Sequence, residues 1–313
     1  VKPFGMRPSA VVRWSVVLAA AWGCGCATGR IEAAERVVPP GVEWRTGIEF
    51  ARPADVPLLL NLARPAAAGA PRPAVLCIHG GGLTHGSRDA YNGVCLTLAT
   101  HGYVAATIDY RLVPQHPFPA SIHDAKAAVR WLRANAQRLG IDPKRIGATG
   151  QSAGGYLALF LGVTPDVPRF EGSGGNPDQS SAVVCVVDVY GPTDLVSDWD
   201  TSTDGKQVLT RWFGGPLDTH RAVYIEGSPL SWVTPAAAPT LCIHGTTDRL
   251  VAHEQSEWLV ERLRKAGVEA ELLTLEGAGH GFKGADKERA DAALLAFFDA
   301  HLRPEEHSRP ASR

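Results

Sequence analysis

The sequence predicts a doubly wound α/β fold, a mostly parallel sheet with helices on both faces. Three observations carry that expectation. Short runs of continuous apolar character, such as residues 74–79 and 240–244, suit strands buried on both sides. Helical stretches alternate with these runs from residue 44 onward, the pattern of strand–helix–strand units. No period of fixed length recurs, so nothing supports a solenoid or propeller. The 313 residues are 45% hydrophobic and 20% charged, and eight Trp, six Tyr and nine Phe supply material for a large core. A net charge of −1, without a basic stripe, gives no footing for nucleic acid.

Residues 44–51 and 58–63 read as an opening hairpin, followed by a Pro/Ala turn region at 65–73 and the apolar strand 74–79. Ser87 is placed to cap a helix running to about Thr100, and 103–110 is the next strand. Beyond the proline-rich loop 114–119, Ile122, Ala125, Val129, Leu132, Ala136 and Leu139 recur at three- and four-residue steps. That spacing makes an amphipathic helix, which Gly140 ends. A strand at 145–149 precedes an apolar helix at 153–163. The stretch 165–181, rich in Pro, Gly, Asp and Ser, reads as a surface loop. Strands follow at 183–190 and 240–244, and the segment 192–238 between them has room for one ordinary helix. Residues 254–266 form a helix stopped by Gly267, 270–275 a strand, and 286–302 a last helix with Leu294, Phe297, Phe298 and Leu302 inward.

The start of the chain has its own character. Lys2, Arg7, Arg13 and Arg30 precede the first acid, Glu32, and a short apolar run lies between Arg13 and Cys24. Such a run is too short to span a bilayer permanently and has the layout of an export signal. The expected organisation is a signal at 1–23, a linker at 24–43, one catalytic domain at 44–302 and a polar tail at 303–313. Cys24 follows Ala21-Trp22-Gly23, so it either carries a lipid anchor or leaves with the signal together with Cys26. Cys77, Cys185 and Cys242 sit inside expected strands and read as small apolar fillers. With no Cys-x-x-Cys pair, Cys95 included, redox chemistry finds no support.

The chemistry centres on Gly150-Gln151-Ser152-Ala153-Gly154, a Gly-x-Ser-x-Gly frame between a strand and a helix. Such a turn lifts the serine hydroxyl out of the packing and aims a helix N-terminus at it. A serine needs a base, an orienter for that base, and donors for an oxyanion. In an open α/β sheet these come from loops at the carboxyl ends of strands. Asp248 follows the strand 240–244, and His280, between Gly279 and Gly281, follows the strand 270–275. His79-Gly80-Gly81-Gly82 begins at the last residue of the strand 74–79 and leaves amide N–H groups unobstructed. Taken alone, Asp248 could cap the helix near Glu254, and His280 could be a plain loop residue. The order Ser, Asp, His on successive strand ends favours the catalytic reading. His79 is placed to orient the glycine loop. A P-loop is not supported, because no Lys-Ser/Thr pair follows the glycines, and His253-Glu254 lacks the second His of a zinc-protease helix. Arg111 and Asp124 read as a structural ion pair. Trp199, Trp212 and Phe213 serve either core packing or a wall of the cleft.

With these motifs in place, Asp109-Tyr110-Arg111-Leu112, Tyr190-Gly191-Pro192-Thr193-Asp194-Leu195 and Gly279-His280-Gly281-Phe282 complete a resemblance. The chain resembles the α/β-hydrolase esterases over residues 44–302, nearest the feruloyl/acetylxylan-esterase-like branch and also the hormone-sensitive-lipase-like esterases. The resemblance implies an α/β-hydrolase sheet of about eight strands, Ser152 as nucleophile and Asp248 and His280 as its partners. It also implies an oxyanion hole from the amides of Gly81, Gly82 and Ala153, and no metal or cofactor. Candidate substrate contacts are Leu83, Trp199, Trp212, Phe213, Val251 and Phe282. One departure is Asp248-Arg249-Leu250-Val251, where many relatives carry a second acidic residue.

The expected function is an exported serine carboxylesterase for short-acyl or aryl esters, including acetyl or feruloyl esters on plant polysaccharide. Its partner is a small-molecule or polysaccharide-linked ester, and oligomeric state is not legible. Amide cleavage by the same triad is the competing enzymatic reading, weakened by the lack of a large domain to screen peptides. A non-catalytic binding protein on this fold is the competing reading of a different class, and the retention of Ser152, Asp248 and His280 weighs against it.

Overall fold

The computed structural model describes residues 37–303. The expected signal at 1–23, most of the linker, any lipid on Cys24 and the tail beyond Arg303 lie outside the described residues.

Eight strands form one sheet: β1 (Val42–Ala51), β2 (Leu58–Pro65), β3 (Arg72–Ile78), β4 (Val104–Ile108), β5 (Ile141–Gln151), β6 (Val186–Val189), β7 (Thr240–Gly245) and β8 (Ala270–Leu275). Their order is β1-β2-β4-β3-β5-β6-β7-β8. The hairpin β1–β2 and the pair β2–β4 are antiparallel, and every pairing from β4 to β8 is parallel. Among the described residues ten α-helices accompany them: α1 (Asn92–Thr100), α2 (Ala120–Ala134), α3 (Ala136–Leu139), α4 (Ala153–Val163), α5 (Pro168–Glu171), α6 (Leu195–Thr201), α7 (Gly205–Phe213), α8 (Leu217–Glu226), α9 (Glu254–Lys265) and α10 (Gly284–Leu302).

The alternation along β3 shows why both faces are covered. Ala74, Leu76 and Ile78 join a core with residues of α2, α4 and α9, whereas Val75 and Cys77 join a second core with α1 and α10. A strand in that position must be apolar at every residue, which is how 74–79 reads. Cys77, Cys95, Cys185 and Cys242 are buried, unbridged thiols in this packing.

Three expectations need correction. Ser87 caps no α-helix through its side chain; a 3₁₀ turn at Arg88–Tyr91 intervenes and α1 begins at Asn92. There Asn61, Asp89 and Asn92 bond one another, and Arg88 pairs with Asp109, so polar side chains rather than a cap set the entry. The segment between β6 and β7 holds three short helices instead of one. Asp194 caps α6 by accepting from the Val196 and Ser197 amides, Gly214 stops α7 in a left-handed conformation, and Pro216 opens α8. The loop at 165–181 contains α5, pinned because Glu171 pairs with the buried Lys126 and Arg130.

Candidate active site

Ser152 occupies the turn between β5 and α4 with φ 53° and ψ −124°, a strained conformation for a residue with a side chain. The turn is tight: a Cβ on Gly154 would collide with the Ile78 carbonyl and come within 2.6 Å of the His79 carbonyl oxygen. Only glycine lets β5, α4 and β3 close together there. Ser152 Oγ lies 2.9 Å from His280 Nε2, and His280 Nδ1 lies 2.7 Å from Asp248 Oδ2. The second Asp248 oxygen accepts from the amides of Leu250 at 2.9 Å and Val251 at 3.0 Å. Burial alone would push the Asp248 carboxyl up. The hydrogen bonds from His244, His280 and Val251 outweigh it and hold the group well below the usual carboxylate range. Asp248 is therefore an acceptor only, His280 Nδ1 carries the hydrogen, and the free Nε2 lone pair faces the serine hydroxyl.

The loop after β3 lies alongside. Gly81 and Gly82 have φ of 115° and 57°, and a Cβ on Gly81 would strike the His85 carbonyl. Among the described residues their amides meet no protein acceptor. The Ala153 amide opens α4, where no intrahelical acceptor exists. His79 is buried and stacks on Tyr110, ring centroids 4.3 Å apart, with Nδ1 2.7 Å from the Gly80 carbonyl. The Tyr110 hydroxyl donates to the His79 carbonyl at 2.9 Å. Burial lowers the His79 pKa, so the ring acts as a neutral brace for the glycine loop. Arg111 and Asp124 form a two-pronged ion pair, with Asp124 1% exposed.

The apolar candidates are placed unevenly. Leu83, Trp212, Phe213 and Val251 are 4, 3, 7 and 5% exposed, so protein rather than solvent covers them. Trp212 and Phe213 pack with Tyr156, Phe118 and Tyr224, which favours core packing over a wall of the cleft for these two. Trp212 nevertheless reaches the glycine loop, because its indole N–H donates to the Gly82 carbonyl at 2.7 Å. Trp199 is half-buried against Tyr224. Phe282 lies edge-on to Tyr190, whose ring is 4.5 Å from that of His280. Sequence reasoning missed Tyr190 and His244 as site residues. For His244, the one signal was an imidazole ending an otherwise apolar strand.

Below the serine, Asp188 is buried, accepts from the Gly191 amide at 3.0 Å, and has no partner for Oδ2 among the described residues. Burial pushes its pKa up from 3.8 to about 8. The native state therefore keeps a proton that the unfolded chain releases, and stability falls as pH rises from about 4 to about 8, then levels. Asp188→Asn should melt several degrees higher than wild type at pH 8.5 and nearly equally at pH 4. Equal melting at both pH values would show that Asp188 is not protonated in the fold.

The chain is similar to known esterases. The BD-FAE family profile matches residues 60–263. The esterase LipC of Mycobacterium tuberculosis is 36% identical over 239 residues, covering 73% of this chain and 58% of LipC. The chain thus spans little more than half of that relative. Among solved structures, a truncated carbohydrate esterase from gut microbiota superposes with a TM-score of 0.73 at 26% identity, covering 83% of this chain and 96% of that one. The thermophilic esterase Est2 of Thermogutta terrifontis, solved with butyrate bound, gives 0.70 at 28% identity, covering 85% and 96%. The strand order, the serine elbow and the matched profile place the chain in the BD-FAE family of α/β-hydrolase esterases.

Proposed function

We propose that the protein is a serine carboxylesterase for short-acyl or aryl esters, including acetyl or feruloyl groups on polysaccharide. The observation that carries this reading is the hydrogen-bonded series Ser152–His280–Asp248 beside the amides of Gly81, Gly82 and Ala153. Ser152 Oγ attacks the ester carbonyl carbon as its proton passes to His280 Nε2. Asp248 stabilises the imidazolium, and the three amides hold the oxyanion. His280 then gives its proton to the departing alkoxide, leaving an acyl group on Ser152. Water, deprotonated by the same imidazole, attacks the acyl carbon; the acyl–Oγ bond breaks as His280 returns the proton to Ser152 Oγ, and the acid leaves. The carbohydrate esterase and the butyrate complex among the similar structures support carbohydrate-linked and short-acyl esters as substrates.

Acyl length is the accessible test. The large side chains of α6–α8 are used against one another, with Trp212, Phe213 and Tyr224 all buried, so they form a filled layer rather than a tunnel. A shallow cleft buries only the first few methylenes, each contributing roughly 0.8 kcal/mol. The kcat/KM for nitrophenyl esters should peak between acetyl and butyryl and fall for octanoyl and longer. A maximum at decanoyl would mean that these helices open into a lipase-like tunnel. Acetylated xylan and methyl ferulate in the same assay separate polysaccharide from aryl preference.

A further inference from the structure

His244 ends β7 and takes no part in the proton path, yet it touches the site. It is fully buried, with Nδ1 2.7 Å from Ser256 Oγ at the start of α9. Its Nε2 lies 3.0 Å from the Val251 carbonyl and 3.3 Å from Asp248 Oδ2. A carbonyl and an ionised carboxylate only accept, so Nε2 must carry the hydrogen. Nδ1 is then the acceptor, and the Ser256 hydroxyl donates to it. The Nε2–H is shared, with its shorter limb to Val251. Val251 in turn donates its amide to Asp248 Oδ1. One imidazole therefore holds both the carboxylate and the turn on which it sits. Asp248 Oδ2 meets His280 on one side and His244 on the other.

We propose that His244 is a positioning residue: its Nε2–H, fixed in that tautomer by Ser256, presents Asp248 Oδ2 to His280. The proposal rests on the esterase reading above. Without this donor the carboxylate swings toward the Leu250 and Val251 amides and the turn loosens. The His280–Asp248 bond then lengthens, and the imidazolium formed in the transition state is less well stabilised. The loss falls on kcat, because His244 does not touch substrate.

The test uses nitrophenyl acetate kinetics and thermal melting of two variants. His244→Leu fills space without donating, while His244→Gln keeps a donor and an acceptor on one planar group. His244→Leu should lose roughly tenfold or more in kcat with KM within about twofold, and His244→Gln should regain most of it. A wild-type kcat in His244→Leu with only a lower melting temperature overturns the proposal, since packing alone would explain His244. A folded His244→Gln no better than His244→Leu overturns it too. Should neither variant fold, ¹⁵N NMR of the wild-type imidazoles at pH 7.5 decides: an Nε2–H tautomer at His244 supports the arrangement, and Nδ1–H overturns it. An inactive wild-type enzyme sinks the esterase reading instead, and the tautomer then decides the His244 arrangement by itself.

Discussion

Replacing Ser152 by alanine should lower ester turnover by roughly 10⁶-fold, to the level left by binding and oxyanion donors. The change removes one oxygen from a half-exposed turn position and leaves Gly150 and Gly154, which shape the elbow, untouched. The variant should therefore melt within about 0.5 kcal/mol of wild type. Asp248→Asn, which exchanges an obligate acceptor for a group that also donates, upsets the His280 tautomer and should cost roughly 10⁴-fold. The Ser152→Ala/Asp248→Asn double variant should be little worse than Ser152→Ala, because the groups act as a unit. A fluorophosphonate probe should label wild type and leave Ser152→Ala unlabelled. Substantial turnover by Ser152→Ala would end the proposed mechanism.

The second large effect is on stability. Gly154→Ala forces a Cβ into the carbonyls of Ile78 and His79 at the end of β3. Those atoms belong to a backbone held from both sides by β4 and β5, so neither strand nor helix can yield cheaply. The expected cost exceeds about 3 kcal/mol, with little soluble protein recovered. Gly69→Ala is the control: its Cβ would meet only the Arg72 guanidinium at 3.4 Å, so it should be within about 0.5 kcal/mol of neutral. Urea melts of both variants test the pair. A Gly154→Ala protein as stable as wild type would mean that α4 can shift away from β3, and that the elbow is looser than its geometry implies.

The parts of the site that the sequence exposes are those encoded locally. Gly150, Ser152 and Gly154 announce a sharp strand-to-helix turn, since no other residues relieve its crowding. Asp248 and His280 stand directly after apolar strands, so the strand order alone carries them toward the same end of the sheet. The helix at 153–163 was legible to the residue, because an unbroken apolar run with no Pro has one reading between two buried layers. Segment 192–238 holds three helices where the sequence suggests one, although Asp194, Gly214 and Pro216 each mark a boundary. Helices of 7 to 10 residues carry too few turns for their periodicity to stand out.

The sequence by itself determined the layers, the elbow and the chemical types of the three aligned groups, because each follows from backbone sterics or strand periodicity. Tertiary structure alone decided which groups hold them. Trp212 lies 130 positions from Gly82 and bonds its carbonyl. Tyr190 meets His280 ring to ring across 90 positions, and Lys126 finds Glu171 inside the fold. Contacts of this kind depend on the packing of helices against a sheet, and no spacing along the chain encodes them. His244 is the sharpest case. Its sequence shows only an imidazole at the end of an apolar strand, and burial between Ser256, Val251 and Asp248 is what assigns each of its nitrogens a role.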